Sequence, residues 1–92
     1  MSDFYQQCYR LLHQVPKGKV TTYKILAEQL GSKAYRAVGT AMRLNPNVPQ
    51  TPCHRVVNSN GNISNYAYGV AKKIALLESE GVQVKDNKIV NF

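Results

Sequence analysis

Three breaker pairs decide most of what the first half of this chain can become. Pro16 with Gly18, Gly31 with Ser32, and Asn45 with Pro46 cut it into short segments. A helix confined to such a segment is marginal alone and must be stabilised by packing an apolar face on its neighbours. The first segment carries that face. Phe4, Cys8, Leu11, Leu12 and Val15 recur at helical steps, predicting a helix over 3–14, with Asp3 or Ser2 as its cap. Thr21 or Thr22 is placed to cap a second helix through Ile25, Leu26, Ala27 and Leu30, closed by Gly31. Ser32 is the cap candidate for a third, running through Ala34 to Arg43. Two short helices joined through Gly31-Ser32 predict a helix-turn-helix whose third helix is the recognition helix.

The second half changes character. Pro46, Pro49 and Pro52 fix the path of a loop. Val56-Val57 is β-prone, and residues 58–62 are a turn cluster. A last helix carries Val70, Ile74, Leu76 and Leu77 and stops at Gly81. Val82 and Val84 then alternate with polar residues, and Asp86-Asn87 predicts a C-terminal hairpin into Ile89, Val90 and Phe92. The fold expected is mainly α with a small β component: a winged helix-turn-helix-like single domain over 1–92.

Composition narrows the function. At 92 residues, 43% hydrophobic and 18% charged, the chain is globular rather than disordered. No apolar run reaches transmembrane length, and the N-terminus lacks the basic and apolar regions of a secretory signal. Two cysteines cannot form a disulfide framework and suit a reducing compartment, so the expected location is cytoplasmic, or nuclear in a eukaryote. Membrane partners are not expected. The net charge is +7, and no acid lies between Glu28 and Glu78. Six bases do: Lys33, Arg36, Arg43, Arg55, Lys72 and Lys73. A polyanion partner and a basic, well-solvated surface both account for that stretch. In the third helix, Ala34, Ala37, Gly39 and Ala41 are small while Arg36 and Arg43 are long cations. Tight core packing explains part of the small set, and close approach to a partner backbone explains the rest.

The densest chemical signal is Pro52-Cys53-His54-Arg55-Val56. A cysteine reacts as its thiolate, so it needs a base or positive charge nearby, and His54 and Arg55 supply both types. Cys8, on an apolar helix face, reads as an inert core thiol. Cys8, His13, Cys53 and His54 lack metal-ligand spacing, so neither metal nor cofactor is expected.

The motif follows Tyr-Arg-Ala-Val-Gly-x-Ala-Met-Arg-x-Asn-Pro and precedes Asn-Tyr-x-x-Gly. In this order the blocks resemble the O6-alkylguanine-DNA alkyltransferases (methylated-DNA–protein-cysteine methyltransferases) over Phe4 to Val82, the C-terminal DNA-binding and catalytic domain without the family's N-terminal domain. The resemblance implies that Cys53 takes the alkyl group from guanine O6 irreversibly. His54 would deprotonate it through a water, with Glu80 orienting the imidazole. Tyr23 would help rotate the nucleotide out and donate to guanine N3. Arg36 would fill the vacated stack, beside Ala37, Thr40 and Arg43 on a helix laid in the minor groove. Asn45 would brace the turn into the active-site loop. Val56, Tyr66, Ala67 and Tyr68 would form the substrate pocket. The implied partner is double-stranded DNA containing O6-alkylguanine, met by a monomer, with excision-repair proteins as possible further partners. Ala67 stands where the family often has serine, and Tyr68, where some members have glycine, is expected to narrow the pocket to small alkyl groups. The tail also resembles the alkyltransferase-like proteins, which bind alkylated DNA without repairing it and carry tryptophan at the cysteine position. A lesion sensor and a helix-turn-helix regulator are the alternatives.

Overall fold

The computed structural model describes residues 3–66, 68–90 and 92. Ser2 and Ala67 lie outside the described residues. Four helices carry the fold: α1 (Asp3–Leu12), α2 (Tyr23–Gln29), α3 (Tyr35–Arg43) and α4 (Val70–Ser79). Four two-residue strands accompany them: β1 (Thr21–Thr22), β2 (Val56–Val57), β3 (Val84–Lys85) and β4 (Lys88–Ile89). Among these residues no helix is long and apolar enough to cross a membrane.

The first three helices share one core. α1 buries Cys8 and Leu12 as the periodicity predicts, but also Tyr9, which the periodicity did not mark. The reason is polar: the Tyr9 hydroxyl donates to the Ala41 carbonyl at 2.8 Å, tying α1 to α3 while its ring fills the core. α1 stops at Leu12, short of the expected Gln14, and the next residues form tight turns. Thr22 caps α2, its hydroxyl accepting from the Ile25 N–H at 3.0 Å. α2 ends in a left-handed Gly31 at φ +66, with Gly31 N–H bonding Glu28 O and Ser32 N–H bonding Ala27 O. That pair of bonds satisfies the last carbonyls of the helix and turns the chain sharply into α3.

Ser32 does not cap α3. Its hydroxyl accepts from the Ala34 N–H at 2.9 Å in a local turn, and the helix begins at Tyr35 with no side-chain cap. A serine that satisfies the backbone two residues on competes with helix formation instead of starting it. Val38, Ala41 and Met42 are the buried face of α3.

β1 and β2 pair in parallel, Thr21 with Val56 and Thr22 with Val57. This pairing was not legible from the sequence, because two residues per strand carry no periodicity. It has a structural effect beyond its size. Alternate side chains leave a strand on opposite faces, so Val56 joins the helical core and Val57 joins a second cluster with Ile63, Leu77 and Val82. The second cluster seats α4 and the predicted hairpin, which turns through Asp86 and Asn87, both at positive φ. α4 closes as α2 does, at Gly81 with φ +89 and Val82 N–H bonding Leu77 O.

Candidate active site and nucleic-acid interface

Cys53 opens a 3₁₀ turn (Cys53–Arg55) between the proline loop and β2. The loop before it is held by Asn45, whose side-chain Nδ2 donates to Thr51 O at 2.7 Å while its Oδ1 accepts from Asn47 N–H at 3.0 Å. One buried amide thus fixes both ends of the loop that delivers Cys53, the position expected of it. Cys53 is 3% exposed. Burial pushes its thiol pKa up, opposed by hydrogen bonding from Asn45 and by the positive charge of Lys73. A thiol in that state needs a base to become a nucleophile.

His54 is the adjacent base. Its Nε2 lies 3.1 Å from Glu80 Oε2, and its Nδ1 is buried with no hydrogen-bond partner among the described residues. Burial lowers the His54 pKa, partly offset by Glu80, so the imidazole is neutral and able to take a proton. Glu80 is itself held: Arg55 Nε donates to Oε1 at 2.9 Å and Nη2 to Oε2 at 2.7 Å. Those bonds, followed by those of His54, keep its carboxyl below the usual glutamate range. Arg55 Nη1 also donates to Val15 O at 2.8 Å, anchoring the site to the turn after α1. Arg55 therefore faces inward and is not part of a phosphate-binding surface, a correction to the basic stretch read from the sequence. Lys73 requires the same correction. It is wholly buried and gives its three protons to Val56 O at 2.7 Å, Asn65 O at 3.2 Å and Ser64 Oγ at 3.4 Å.

A cleft of about 1030 Å³ opens in front of Cys53, lined also by Tyr23, Tyr66, Ser64, Arg36, Gly39 and Arg43. The structure thus brings the cysteine, Tyr23 and the cationic face of α3 to one opening. Tyr23 Oη lies 2.7 Å from Ser64 Oγ. Tyr66 presents a buried hydroxyl toward Cys53, and burial, then the Cys53 thiol, pushes its pKa up to about 12. Two expected pocket residues are elsewhere. Val56 is fully buried under the helical core, and its carbonyl is taken by Lys73. Tyr68 is 65% exposed and outside the cleft, meeting it only through an edge-on contact with Tyr66 at 5.9 Å between ring centroids. Tyr68 precedes Gly69, the φ +95 residue at the N-terminal cap of α4. The expectation of a pocket narrowed by Tyr68 loses its basis. Ala67, the remaining pocket candidate, lies outside the described residues.

On α3, Arg36 and Arg43 are exposed, and Ala37 and Thr40 are part-exposed. Thr40 Oγ1 is spent on Arg36 O at 3.0 Å. A Cβ placed on Gly39 would meet nothing within 4 Å. Its small size is therefore not demanded by core packing, and it keeps the cleft wall low. Sequence reasoning missed Ser64 and Lys73 as site residues. Ser64 carries no signal, but Lys73 does: it sits on the stripe of Val70 and Leu77, where an apolar residue is expected.

The family model described as 6-O-methylguanine DNA methyltransferase, DNA binding domain, matches residues 3–82. A methylated-DNA–protein-cysteine methyltransferase of Saccharolobus solfataricus is 46% identical over 78 residues, covering 85% of this chain and 50% of that protein. A bifunctional methyltransferase/endonuclease of Picrophilus torridus is 39% identical, covering 95% of this chain and 30% of that protein. The chain thus spans half or less of the length of these two relatives. Among solved structures, Mycobacterium tuberculosis OGT in complex with DNA matches at a TM-score of 0.84 and 40% identity, over 87% of this chain and 50% of that one. S. pombe Atl1 in complex with damaged DNA containing O6-carboxymethylguanine matches at 0.81 and 35% identity, over 92% of this chain and 82% of that one.

Proposed function

This chain belongs to the 6-O-methylguanine DNA methyltransferase family through that family's DNA-binding domain, and from that premise we propose that it repairs DNA by moving the alkyl group of an O6-alkylguanine onto Cys53. The observation that carries the reading is Cys53 at the cleft, followed in the same turn by a neutral His54 whose Nε2 is tied to Glu80 and whose Nδ1 is left open.

The chemistry follows from those groups. O6 of a stacked, paired guanine cannot reach a buried sulfur, so the nucleotide must leave the duplex. α3 offers the low wall at Gly39 for close approach to the backbone, and Arg36 is a long cation at the mouth that can fill the vacated stack. In the cleft, His54 Nδ1 takes the Cys53 proton through a water, and the Glu80–Arg55 pair holds the imidazolium that results. The thiolate attacks the alkyl carbon. The S–C bond forms as the C–O6 bond breaks, leaving its electron pair on the guanine. Tyr23 Oη donates a proton to guanine N3, which stabilises the departing base. The thioether cannot be reversed by any group in the site, so each molecule acts once.

A second reading, a lesion sensor, is favoured by the S. pombe Atl1 match, which spans most of that shorter chain. Mass spectrometry after incubation with duplex DNA carrying O6-methylguanine separates them. One methyl gained on the Cys53 peptide is expected. Tight lesion binding with no mass change establishes the sensor instead, and no preference for the lesion leaves a helix-turn-helix regulator.

A further inference from the structure

Ser64 has no role in the chemistry above and Lys73 enters it as a charge that favours the Cys53 thiolate, yet both also connect to Tyr23. Ser64 holds a left-handed backbone, φ +65, that a residue with a Cβ rarely adopts. Its hydroxyl lies 2.7 Å from Tyr23 Oη and accepts from Lys73 Nζ at 3.4 Å. An ammonium has three protons and no lone pair, and Lys73 points its other two at Val56 O and Asn65 O. Ser64 Oγ can accept from Lys73 and turn its own proton on Tyr23 Oη, one of the two senses that the 2.7 Å contact allows. The proton of Tyr23 is then free to point into the cleft.

We propose, on the alkyl-transfer reading above, that Ser64 is a positioning residue for departure of the base: its hydroxyl aims Tyr23 and links it to the buried Lys73 ammonium, which replaces the proton Tyr23 gives to guanine. The protons balance along the line. Guanine N3 takes the Tyr23 proton, Tyr23 takes that of Ser64, Ser64 takes one from Lys73, and Lys73 is left as a neutral amine. It regains a proton from water once the base has left. The timing follows from charge. The Cys53 thiolate favours the charged form of Lys73, and alkylation replaces that thiolate by a neutral thioether. The attraction holding the lysine proton is lost in the step that creates the guanine anion. Burial has already lowered the Lys73 pKa to about 8, so little further loss is needed.

The experiment compares single-turnover methyl transfer from two duplexes, one with O6-methylguanine and one with its 3-deaza analogue, which has no N3 to protonate. Ser64→Gly suits the test, since glycine adopts φ +65 without strain while the hydroxymethyl side chain, with its hydroxyl, is lost. With O6-methylguanine the variant should be slower by about ten- to a hundredfold, at or below the smallest contribution of a directly acting proton donor because Ser64 acts through Tyr23, at unchanged lesion affinity. With the 3-deaza substrate it should match the wild type. Lys73→Met also removes the charge that favours the Cys53 thiolate, so it should slow both substrates, and O6-methylguanine by the larger factor. Equal slowing on both substrates would mean that Ser64 only shapes the pocket, and unaltered rates on both would mean no role; either overturns the proposal. A wild-type protein that transfers no methyl overturns this proposal together with the reading it rests on, whereas the other two outcomes leave that reading standing.

Discussion

Cys8 and Cys53 are both buried and both free, and burial raises both thiol pKa values. Their surroundings differ. Cys8 sits on the inner face of α1 among apolar side chains, whereas Cys53 borders the cleft, where the Asn45 amide and the Lys73 charge favour its thiolate. Cys53→Ser is expected to lose all methyl uptake while keeping affinity for lesion DNA. Cys8→Ser should keep uptake and lower the melting temperature, since a buried hydroxyl without a partner costs about 1–3 kcal/mol. Peptide mass mapping and a thermal melt check the pair.

Glu80 has its own signature. Its pKa is lowered by Arg55 and then by His54, so the folded state binds its proton less readily than the unfolded chain. The stabilisation is therefore present above the ordinary glutamate value of 4.5 and fades as pH falls through the lowered folded value. In denaturant titrations, Glu80→Gln should be less stable than the wild type at pH 7. The gap should close below pH 4.5. A gap that stays constant on acidification would show that the carboxylate charge is not what holds Arg55 and His54.

At the scale of elements, α3 serves two neighbours with two faces. Val38, Ala41 and Met42 pack into the core, and Arg36, Gly39 and Arg43 face the cleft. Gly39 separates these demands. Alanine there meets no atom and removes the entropic cost of a mid-helix glycine, so Gly39→Ala should stabilise the fold by up to about 1 kcal/mol. A longer side chain such as Gly39→Leu should fold equally well and bind duplex DNA more weakly, because it raises the wall facing the partner. Unfolding curves and DNA titrations on the same variants separate the two effects. The helices and their breakers were readable because capping and termination are local: Thr22, Gly31 and Gly81 each act within a few residues. Ser32 shows the limit. The same local chemistry serves a cap or a turn, and here Ser32 makes a turn to Ala34 while the helix starts at Tyr35.

Over the whole molecule, charge is sorted in a way that the net value of +7 conceals. Arg55 and Lys73 are consumed inside, while Lys33, Arg36, Arg43 and Lys72 remain exposed. Neutralising one phosphate contact shifts the slope of log affinity against log salt by about 0.9 on duplex DNA. Arg43→Ala should make that slope shallower by about this amount, and Lys73→Met should leave it unchanged. Binding measured from about 50 to 200 mM salt checks both.

The division between sequence and tertiary structure follows from the range of the forces involved. Short helices, their glycine stops, the hairpin turn at Asp86-Asn87 and the burial of Cys8 on the apolar face of α1 were all legible, because backbone conformation and apolar periodicity act between near neighbours. Tertiary structure alone decided which charges stay outside and which hydroxyls meet. Glu80 reaches Arg55 across 25 positions, Tyr23 reaches Ser64 across 41, and Lys73 spends its protons on a carbonyl 17 positions away. A lysine reads as a surface charge in a sequence because burying it without partners is prohibitive. Only the folded chain gathers the three acceptors that make its burial tolerable.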